Sequence, residues 1–149
     1  KVLPSNLYLY NDDVSDTITL HINGNEKKIN LRNGYVEISK DWIKGDKVEL
    51  VIPMSVRKVV SDKNVKDNID KVAFEFGPIV YCADEIDNKQ ISGISIPSKM
   101  NFETKEKNIL SEKVIAISGK INNDPFELIP YYLWANRGVG KMQVWFPKE

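Results

Sequence analysis

The sequence predicts an all-β fold, a jelly-roll-like β-sandwich of mostly antiparallel strands with little or no helix. Several segments alternate apolar and polar residues with the two-residue period of a strand, most clearly residues 17–23 and 47–52. Turn signals separate such segments roughly every eight to twelve residues, a spacing typical of sandwiches and barrels. No segment has the periodicity of an amphipathic helix.

The N-terminal part of the chain is divided by three turn signals. Asn23-Gly24 and Asn33-Gly34 favour the positive φ angles that both central positions of a type I′ turn require, so they are strong hairpin signals. Lys44-Gly45-Asp46 marks a third turn. Strands are therefore predicted at residues 7–10, 17–23, 26–31, 35–38 and 47–52.

The remainder of the chain alternates apolar strands with polar connections. Val72, Phe74 and Phe76 share one face of a predicted core strand, which Gly77-Pro78 ends. The strand that follows, at residues 79–82, is predicted to be buried on both sides and to bring Tyr81 into the core. Further strands are predicted at residues 114–117, 126–132 and 141–146, a loop or one poor helical turn at 61–71, and a charged, mostly solvated segment at 101–111.

Composition excludes several classes of partner. The 149 residues suffice for one large domain or two small ones, and Lys and Arg balance Asp and Glu to a net charge of zero. Nucleic acid and anionic membranes are excluded as partners because both require a basic excess. No apolar run reaches the roughly 20 residues of a membrane span, and no leader is present, so periplasm, cytoplasm and secretion all stay open. Because the chain starts at Lys1 rather than Met, we expect that it is either processed or cut from something longer.

The residues predict no catalytic, cofactor-binding or metal site. One Cys and one His, without metal-ligand spacing, provide no ligand set. Cys82 lies inside an apolar strand and is interpreted as a buried small hydrophobe, since a nucleophilic thiol needs a partly exposed setting. His21 is interpreted as a strand residue that faces solvent or is partly buried. Glu75, Glu85 and Glu127 are expected on strand surfaces, because nothing places two of them at the separation that glycoside hydrolysis requires.

The aromatic segment 129–146 is the strongest candidate for recognition. It contains Trp134 and Trp145, and a polar turn between them carries Asn136 and Arg137. Trp134, Asn136, Arg137 and Trp145 are therefore predicted to make an interdomain or sugar contact. For Arg137 we favour a structural clamp to a neighbouring strand or sandwich, because a guanidinium fork holds carbonyls or a carboxylate in fixed geometry. A sugar contact is the alternative.

Four segments, taken in order, carry a family resemblance. They are N-G-Y-V, W-I-K-G-D and V-E-L-V-I-P-M within residues 33–54, V-A-F with G-P-I-V-Y-C within 72–82, D-N at 87–88, and I-P-Y-Y, W-A-N-R-G and M-x-V-W within 129–145. In this order they resemble the C-terminal part of glycoside hydrolase family 127, the β-L-arabinofuranosidase family that was formerly a domain of unknown function. The G-P-x-V-Y and P-Y-Y-x-W-A-N-R-G segments are specific in combination.

The resemblance implies a larger architecture. Family members are expected to carry catalysis on an N-terminal (α/α) barrel, with a zinc-bound cysteine nucleophile and an acidic partner, and none of these is in this chain. Zinc is therefore expected only in the absent catalytic domain, and this chain is expected to bind no cofactor. Residues 1–54 would be the late part of the middle β-sandwich and residues 55–149 the C-terminal one, with 141–146 returning to the first sandwich.

The resulting hypothesis is a non-catalytic portion of a bacterial glycoside hydrolase, not an enzyme on its own. This portion would support the catalytic barrel of the same polypeptide and border the substrate cleft. Plant-type, arabinose-containing glycans are the other expected partner. The alternative is an independent carbohydrate-binding module that uses exposed aromatic residues.

Overall fold

The computed structural model of this chain describes residues 6–11 and 17–149. They separate into two compact units, a larger one with residues 6–11 and 55–149 and a smaller one with residues 17–54. The strand pairs are antiparallel, and the described helices are two three-residue 3-10 turns, Lys66–Asn68 and Tyr131–Leu133. The predicted all-β fold with little helix is confirmed. Within the described ranges no helix has the length and apolar character that a membrane crossing needs.

The described residues contain fourteen strands. They are β1 (Tyr8–Tyr10), β2 (Thr19–Ile22), β3 (Asn25–Lys27), β4 (Leu31–Arg32), β5 (Tyr35–Val36), β6 (Val48–Val51), β7 (Val56–Ser61), β8 (Lys71–Phe76), β9 (Ile79–Asp84), β10 (Glu103–Ile109), β11 (Glu112–Ile121), β12 (Asp124–Pro130), β13 (Met142–Gln143) and β14 (Phe146–Pro147).

The larger unit is built on one sheet of nine strands. Its main path runs β1-β7-β8-β9-β12-β11-β10, while β13 pairs with β9 and β14 pairs with β8. Both of these last pairings lie within the larger unit. The expected return of residues 141–146 to the first sandwich stays a prediction. Phe146 holds β14 against the core, since its side chain is completely buried beside Phe74, with ring centroids 6.1 Å apart.

One face of the large sheet carries the main core. Phe74 of β8 and Tyr81 of β9 are cross-strand partners and both are almost completely buried, which confirms their predicted place in the core. Burial raises the pKa of Tyr81 to about 12, and its hydroxyl donates a hydrogen bond to the carbonyl of Ile115 at 2.7 Å. The cluster comprises Val72, Phe74, Tyr81, Ala83, Ile91, Ile96, Met100, Ile117, Phe126, Leu128 and Phe146.

Two predicted segments differ in part from the structure. Residues 101–111 are mostly exposed, as predicted, but the sequence analysis did not predict that most of them form β10, which pairs with β11. Its alternating Lys and Glu side chains suit an edge strand, because charges there discourage pairing with another chain. Residues 79–82 are predicted to be buried on both sides, whereas Val80 is exposed and burial continues instead to Asp84.

The smaller unit contains a three-stranded sheet, β3-β2-β6, and the β4-β5 hairpin. Both predicted Asn-Gly turns are confirmed. Asn23 and Gly24 have φ angles of 51° and 78°, and Asn33 and Gly34 have φ angles of 51° and 83°. These left-handed pairs are what a type I′ turn requires, which is why the two dipeptides could be read from the sequence.

The turn at residues 44–46 is tied to the first hairpin by the Asp46 carboxylate. It accepts hydrogen bonds from Lys40 Nζ at 2.6 Å, from Asn23 Nδ2 at 2.7 Å and from the backbone N–H of Ile43 at 2.9 Å. The hydrogen bonds from Lys40, Asn23 and Ile43 lower the pKa of Asp46 to about 2, with the largest effect from Lys40 and the smallest of the three from Ile43. This carboxylate therefore fixes the two turns of the smaller unit together.

Candidate functional site

The segment after β12 packs on the second face of the large sheet. Cys82 and Ile129 are cross-strand partners that alternate with residues of the main core, so they point to the other side of the sheet. Leu133 is buried with them, and Trp134 packs at the margin of this second cluster. Residues 131–140, here called the 131–140 loop, are thus attached to the sheet by two apolar side chains.

Successive tight turns give the 131–140 loop its shape. Backbone hydrogen bonds join Trp134 N to Tyr131 O at 3.3 Å, Asn136 N to Leu133 O at 3.4 Å and Gly138 N to Ala135 O at 3.4 Å. The Asn136 side chain also donates from Nδ2 to the carbonyl of Tyr132 at 3.0 Å. The loop is therefore a compact coil with its own internal bonds, as expected from its polar, glycine-punctuated sequence.

Arg137 fastens this coil to the end of β9. Its Nη1 and Nη2 donate to the two carboxylate oxygens of Asp87 at 3.0 and 2.5 Å, and Nη2 also donates to Asp84 Oδ2 at 2.9 Å. Only 14% of the Arg137 side chain is exposed. Two-point contact with one carboxylate is the geometry in which Arg cannot be replaced by Lys. The carboxylate contact that the clamp interpretation requires is therefore present.

The contact continues into a larger ionic network. Asp87 also accepts from Lys107 Nζ at 2.5 Å, Lys107 contacts Glu127, and Glu127 contacts Lys105. With Asp84 and Arg137 this gives three positive and three negative side chains, so the network is formally neutral. A neutral, mutually paired cluster stabilises geometry and leaves no charge to attract a ligand.

Opposing effects act on the pKa values of this network. Burial alone would raise the pKa of Asp87, but hydrogen bonds from Arg137 and Lys107 outweigh it and hold that pKa below its ordinary value. Burial would likewise lower the pKa of Lys107, but its hydrogen bonds to Asp87 and Glu127 keep it raised. Both pKa values are thus moved away from neutral pH, whereas a general acid or base works best when its pKa lies near the operating pH.

Asn88 anchors the same corner without charge. Its Nδ2 donates to the carbonyls of Asp84 and Glu127, both at 2.9 Å, and its Oδ1 accepts from the Glu127 N–H at 2.8 Å. The side chain is buried with both of its polar atoms bonded. Asn88 therefore joins the loop after β9 to β12, and the short D-N segment of the family resemblance has a structural reason.

Cys82 is unsuited to bind zinc or to attack a substrate. Its side chain is completely buried, and burial raises its pKa to about 12, so the thiol stays protonated at neutral pH. Among the residues that the structure describes, no group of three or more His, Cys, Asp and Glu side chains is arranged to hold a metal. The residues present do not fit the zinc-cysteine centre implied for the family's catalytic domain, and no zinc chemistry is assigned to this chain.

The four residues predicted for an interdomain or sugar contact fall in two places. Trp134, Asn136 and Arg137 lie together in the 131–140 loop, where Asn136 is exposed. Trp145 is partly buried and stacks on Tyr8 of β1, with ring centroids 5.7 Å apart and planes inclined by 27°. Their predicted contact role stays a prediction. The sequence did not reveal the partners of Arg137. The one available signal was that Asp84 comes directly after the apolar run 79–83, which places it close to the core.

Two family models match this chain. The one described as the C-terminal domain of glycoside hydrolase family 127 matches residues 56–147. The other, described as the GH127 middle domain of β-L-arabinofuranosidase, matches residues 5–54.

Individual relatives agree with these matches. A non-reducing end β-L-arabinofuranosidase of Bifidobacterium longum subsp. longum is 27% identical over 154 residues, covering 85% of this chain and 23% of that protein. A solved GH127 β-arabinofuranosidase superimposes with a TM-score of 0.89 at 32% identity, covering 99% of this chain and 25% of its own. A GH127 β-L-arabinofuranosidase from Geobacillus stearothermophilus T6 gives a TM-score of 0.80 at 33% identity, covering 89% of this chain and 25% of its own.

The chain thus spans about a quarter of the length of these relatives. The chain has an all-β fold and a 131–140 loop that is held by Arg137. The C-terminal-domain model matches more than half of the length of the chain. On these grounds the chain belongs to glycoside hydrolase family 127.

Proposed function

We propose that this chain is the non-catalytic C-terminal β-sandwich portion of a β-L-arabinofuranosidase-like glycoside hydrolase. In this role it supports the catalytic (α/α) barrel of the same polypeptide and borders its substrate cleft. One observation carries the proposal: the chain matches the middle and C-terminal domains of the family while covering only about a quarter of the enzymes it resembles.

The apolar surface of the smaller unit supports a place within a larger protein. In the sheet register Leu20 lies opposite Leu50 and Ile22 opposite Val48, so these four side chains share one face. Leu20 and Ile22 are buried, but Val48 and Leu50 are 47% and 53% exposed. Soluble monomers rarely expose contiguous apolar surface of this kind, because one face of an antiparallel sheet normally packs on a second layer.

The carboxylates of the larger unit support a non-catalytic role. Asp84, Asp87 and Glu127 are all engaged by Arg137, Lys107 or Lys105. Glycoside hydrolysis needs one carboxyl group that is protonated and another that is free to act on the sugar or on water. Carboxylates that are already paired with Arg137, Lys107 or Lys105 are not free for either purpose, and we therefore assign catalysis, with its zinc, to the rest of the polypeptide.

The geometry of the aromatic residues disfavours an independent carbohydrate-binding module. A sugar-stacking platform needs exposed, nearly coplanar rings, but Tyr131 and Trp134 are inclined by 49°. Trp134 packs against the second cluster, and Trp145 is stacked on Tyr8. The rings of Trp134 and Trp145 mainly serve packing within this chain, so we favour the supporting role.

Hydrolysis assays of this chain and of the whole polypeptide test the proposal. We expect the 149-residue chain to release no product from an aryl β-L-arabinofuranoside, with or without zinc and reductant, because it lacks the three protein ligands that a catalytic zinc site requires. The whole polypeptide should hydrolyse the same substrate. Turnover that survives repurification of the 149-residue chain and differs between the parent and Cys82→Ser would overturn the assignment.

A deletion tests the supporting role separately. Removing this chain's segment from the whole polypeptide should lower the melting temperature of the remaining catalytic region and reduce its soluble yield. If the shortened enzyme keeps both its melting temperature and its kcat/KM, the supporting role is wrong.

A further inference from the structure

The 131–140 loop displays apolar side chains on its outer side. Tyr131 and Tyr132 are 45% and 56% exposed, and Val139 is completely exposed between two glycines. Leu133 and Trp134 of the same loop point inward to the second cluster. The apolar residues of the loop therefore form two groups. Leu133 and Trp134 anchor the loop, and Tyr131, Tyr132 and Val139 are exposed.

The displayed side chains sit on a backbone that is held in place from several directions. Arg137 is bonded to Asp84 and Asp87, and the backbone of Lys141 both donates to the Glu85 carboxylate at 2.9 Å and accepts from the Glu85 N–H at 3.0 Å. Such a loop loses little conformational entropy when a partner binds, since its backbone is already ordered. A buried ionic network is a costly way to hold a loop that only connects two strands.

We propose that Tyr131, Tyr132 and Val139 form the surface by which the larger unit docks on the catalytic region of the same polypeptide. This inference rests on the proposed function and adds to it the contact surface and its chemistry. The partner is an apolar protein surface with pockets for two tyrosine rings and one small aliphatic side chain. The ionic network of Arg137 preorganises the surface and does not itself touch the partner.

Two observations favour a protein partner over a glycan. Val139 is aliphatic and offers no ring for a sugar to stack on, and the ring of Tyr131 is tilted against Trp134 rather than coplanar with it. Tyrosine is instead among the residues enriched at the centre of protein interfaces. In addition, the relatives carry about three quarters of their length outside the part that this chain matches, which supplies the surface to be contacted.

Hydroxyl-radical footprinting of the 149-residue chain and of the whole polypeptide tests this surface. We expect the oxidation rates of Tyr131 and Tyr132 to fall at least about five-fold in the whole polypeptide. Leu110, which is equally exposed at the turn between β10 and β11, serves as the internal control and should change less than two-fold. Equal oxidation of the two tyrosines in both proteins would overturn the proposal, as would protection of them in the 149-residue chain by added arabino-oligosaccharides.

A double variant provides a second readout. Tyr131→Ser with Tyr132→Ser should lower the melting temperature of the whole polypeptide by several degrees while leaving that of the 149-residue chain nearly unchanged, because both side chains are exposed in it. An equal shift in both proteins would contradict docking. If footprinting shows no protection but deletion of the segment still destabilises the catalytic region, the docking surface is wrong and the proposed function stands.

Discussion

The two units of this chain bury their apolar side chains to different extents. The larger unit encloses its own core, in which Phe74, Ile117 and Phe146 are completely buried and the rings of Phe74 and Phe146 are in contact. The smaller unit has regular turns and a paired sheet, yet it buries only Leu20 and Ile22 among its large apolar side chains in the described range 17–54. Local structure is equally well formed in both, but only one has a complete core.

The difference shows that strand pairing and turn chemistry do not by themselves make a stable layer. A sheet with one apolar face gains most of its stability from the layer that packs on that face, at about 25 cal/mol for each Å² of apolar surface removed from water. In the larger unit the loop between β9 and β10 packs on the sheet, since its Ile91, Ile96 and Met100 belong to the same core cluster as Phe74. In the smaller unit Val48 and Leu50 are half-exposed, as expected if the rest of the proposed whole polypeptide covers this face.

The largest expected effect is in the core of the larger unit. Phe74→Ala should lower the free energy of unfolding by about 3–5 kcal/mol, because the side chain is completely buried and its removal leaves a cavity. This free energy can be measured by urea unfolding followed by Trp fluorescence. A Trp42→Phe background removes the Trp signal of the smaller unit. A loss below about 1 kcal/mol would remove Phe74 from the core and end the contrast between the units.

A smaller effect is expected at the Arg137 clamp. Arg137→Lys should cost about 1–3 kcal/mol, because lysine keeps the charge but loses the two-point contact with Asp87 and leaves buried carboxylates less well bonded. Calorimetric melting temperatures provide the measurement. The matched control is Arg32→Lys, whose ion pair with Glu37 is exposed and should contribute almost nothing. If the Arg137 variant melts like the parent chain, the clamp interpretation fails.

The smallest effect concerns acid stability of the smaller unit. The pKa of Asp46 is lowered from 3.8 to about 2, so its contribution is fully present above its ordinary pKa and is lost as the pH falls towards 2. Trp42 fluorescence should therefore report unfolding of this unit in that range. Asp46→Asn should be less stable than the parent at pH 7 and equal to it near pH 2. A constant difference between the two proteins across this range would contradict the assignment.

Much of the fold could be predicted because some of its determinants are local. Asn23-Gly24 announces its turn, since both residues take up left-handed φ angles that Asn and Gly adopt at little cost. The turn at Leu110-Ser111 has the same geometry, with φ angles of 51° and 70°, but neither residue signals it. The hairpin of β10 and β11 was therefore only partly predicted. A strand was predicted within β11, but the charged sequence of β10 did not indicate a strand.

The candidate site was less predictable because its contacts are distant in sequence. The place of Arg137 in a tight turn led to the prediction of a clamp, but its partners Asp84 and Asp87 lie 53 and 50 residues away. Which carboxylate a guanidinium meets depends on strand order and register. That order places β12 beside β9 although β10 and β11 lie between them in sequence, and no local pattern encodes it.

The most direct test compares the stability of the smaller sheet in two contexts. Native-state hydrogen exchange of the β2 and β6 amides gives its opening free energy in the 149-residue chain and in the whole polypeptide. Leu50→Ala should cost about 1 kcal/mol in the chain alone and about 2–5 kcal/mol in the whole polypeptide, where the face is covered. Phe74→Ala, read from the β8 amides, is the control and should cost the same in both. An equal cost of Leu50→Ala in the two contexts would contradict the account.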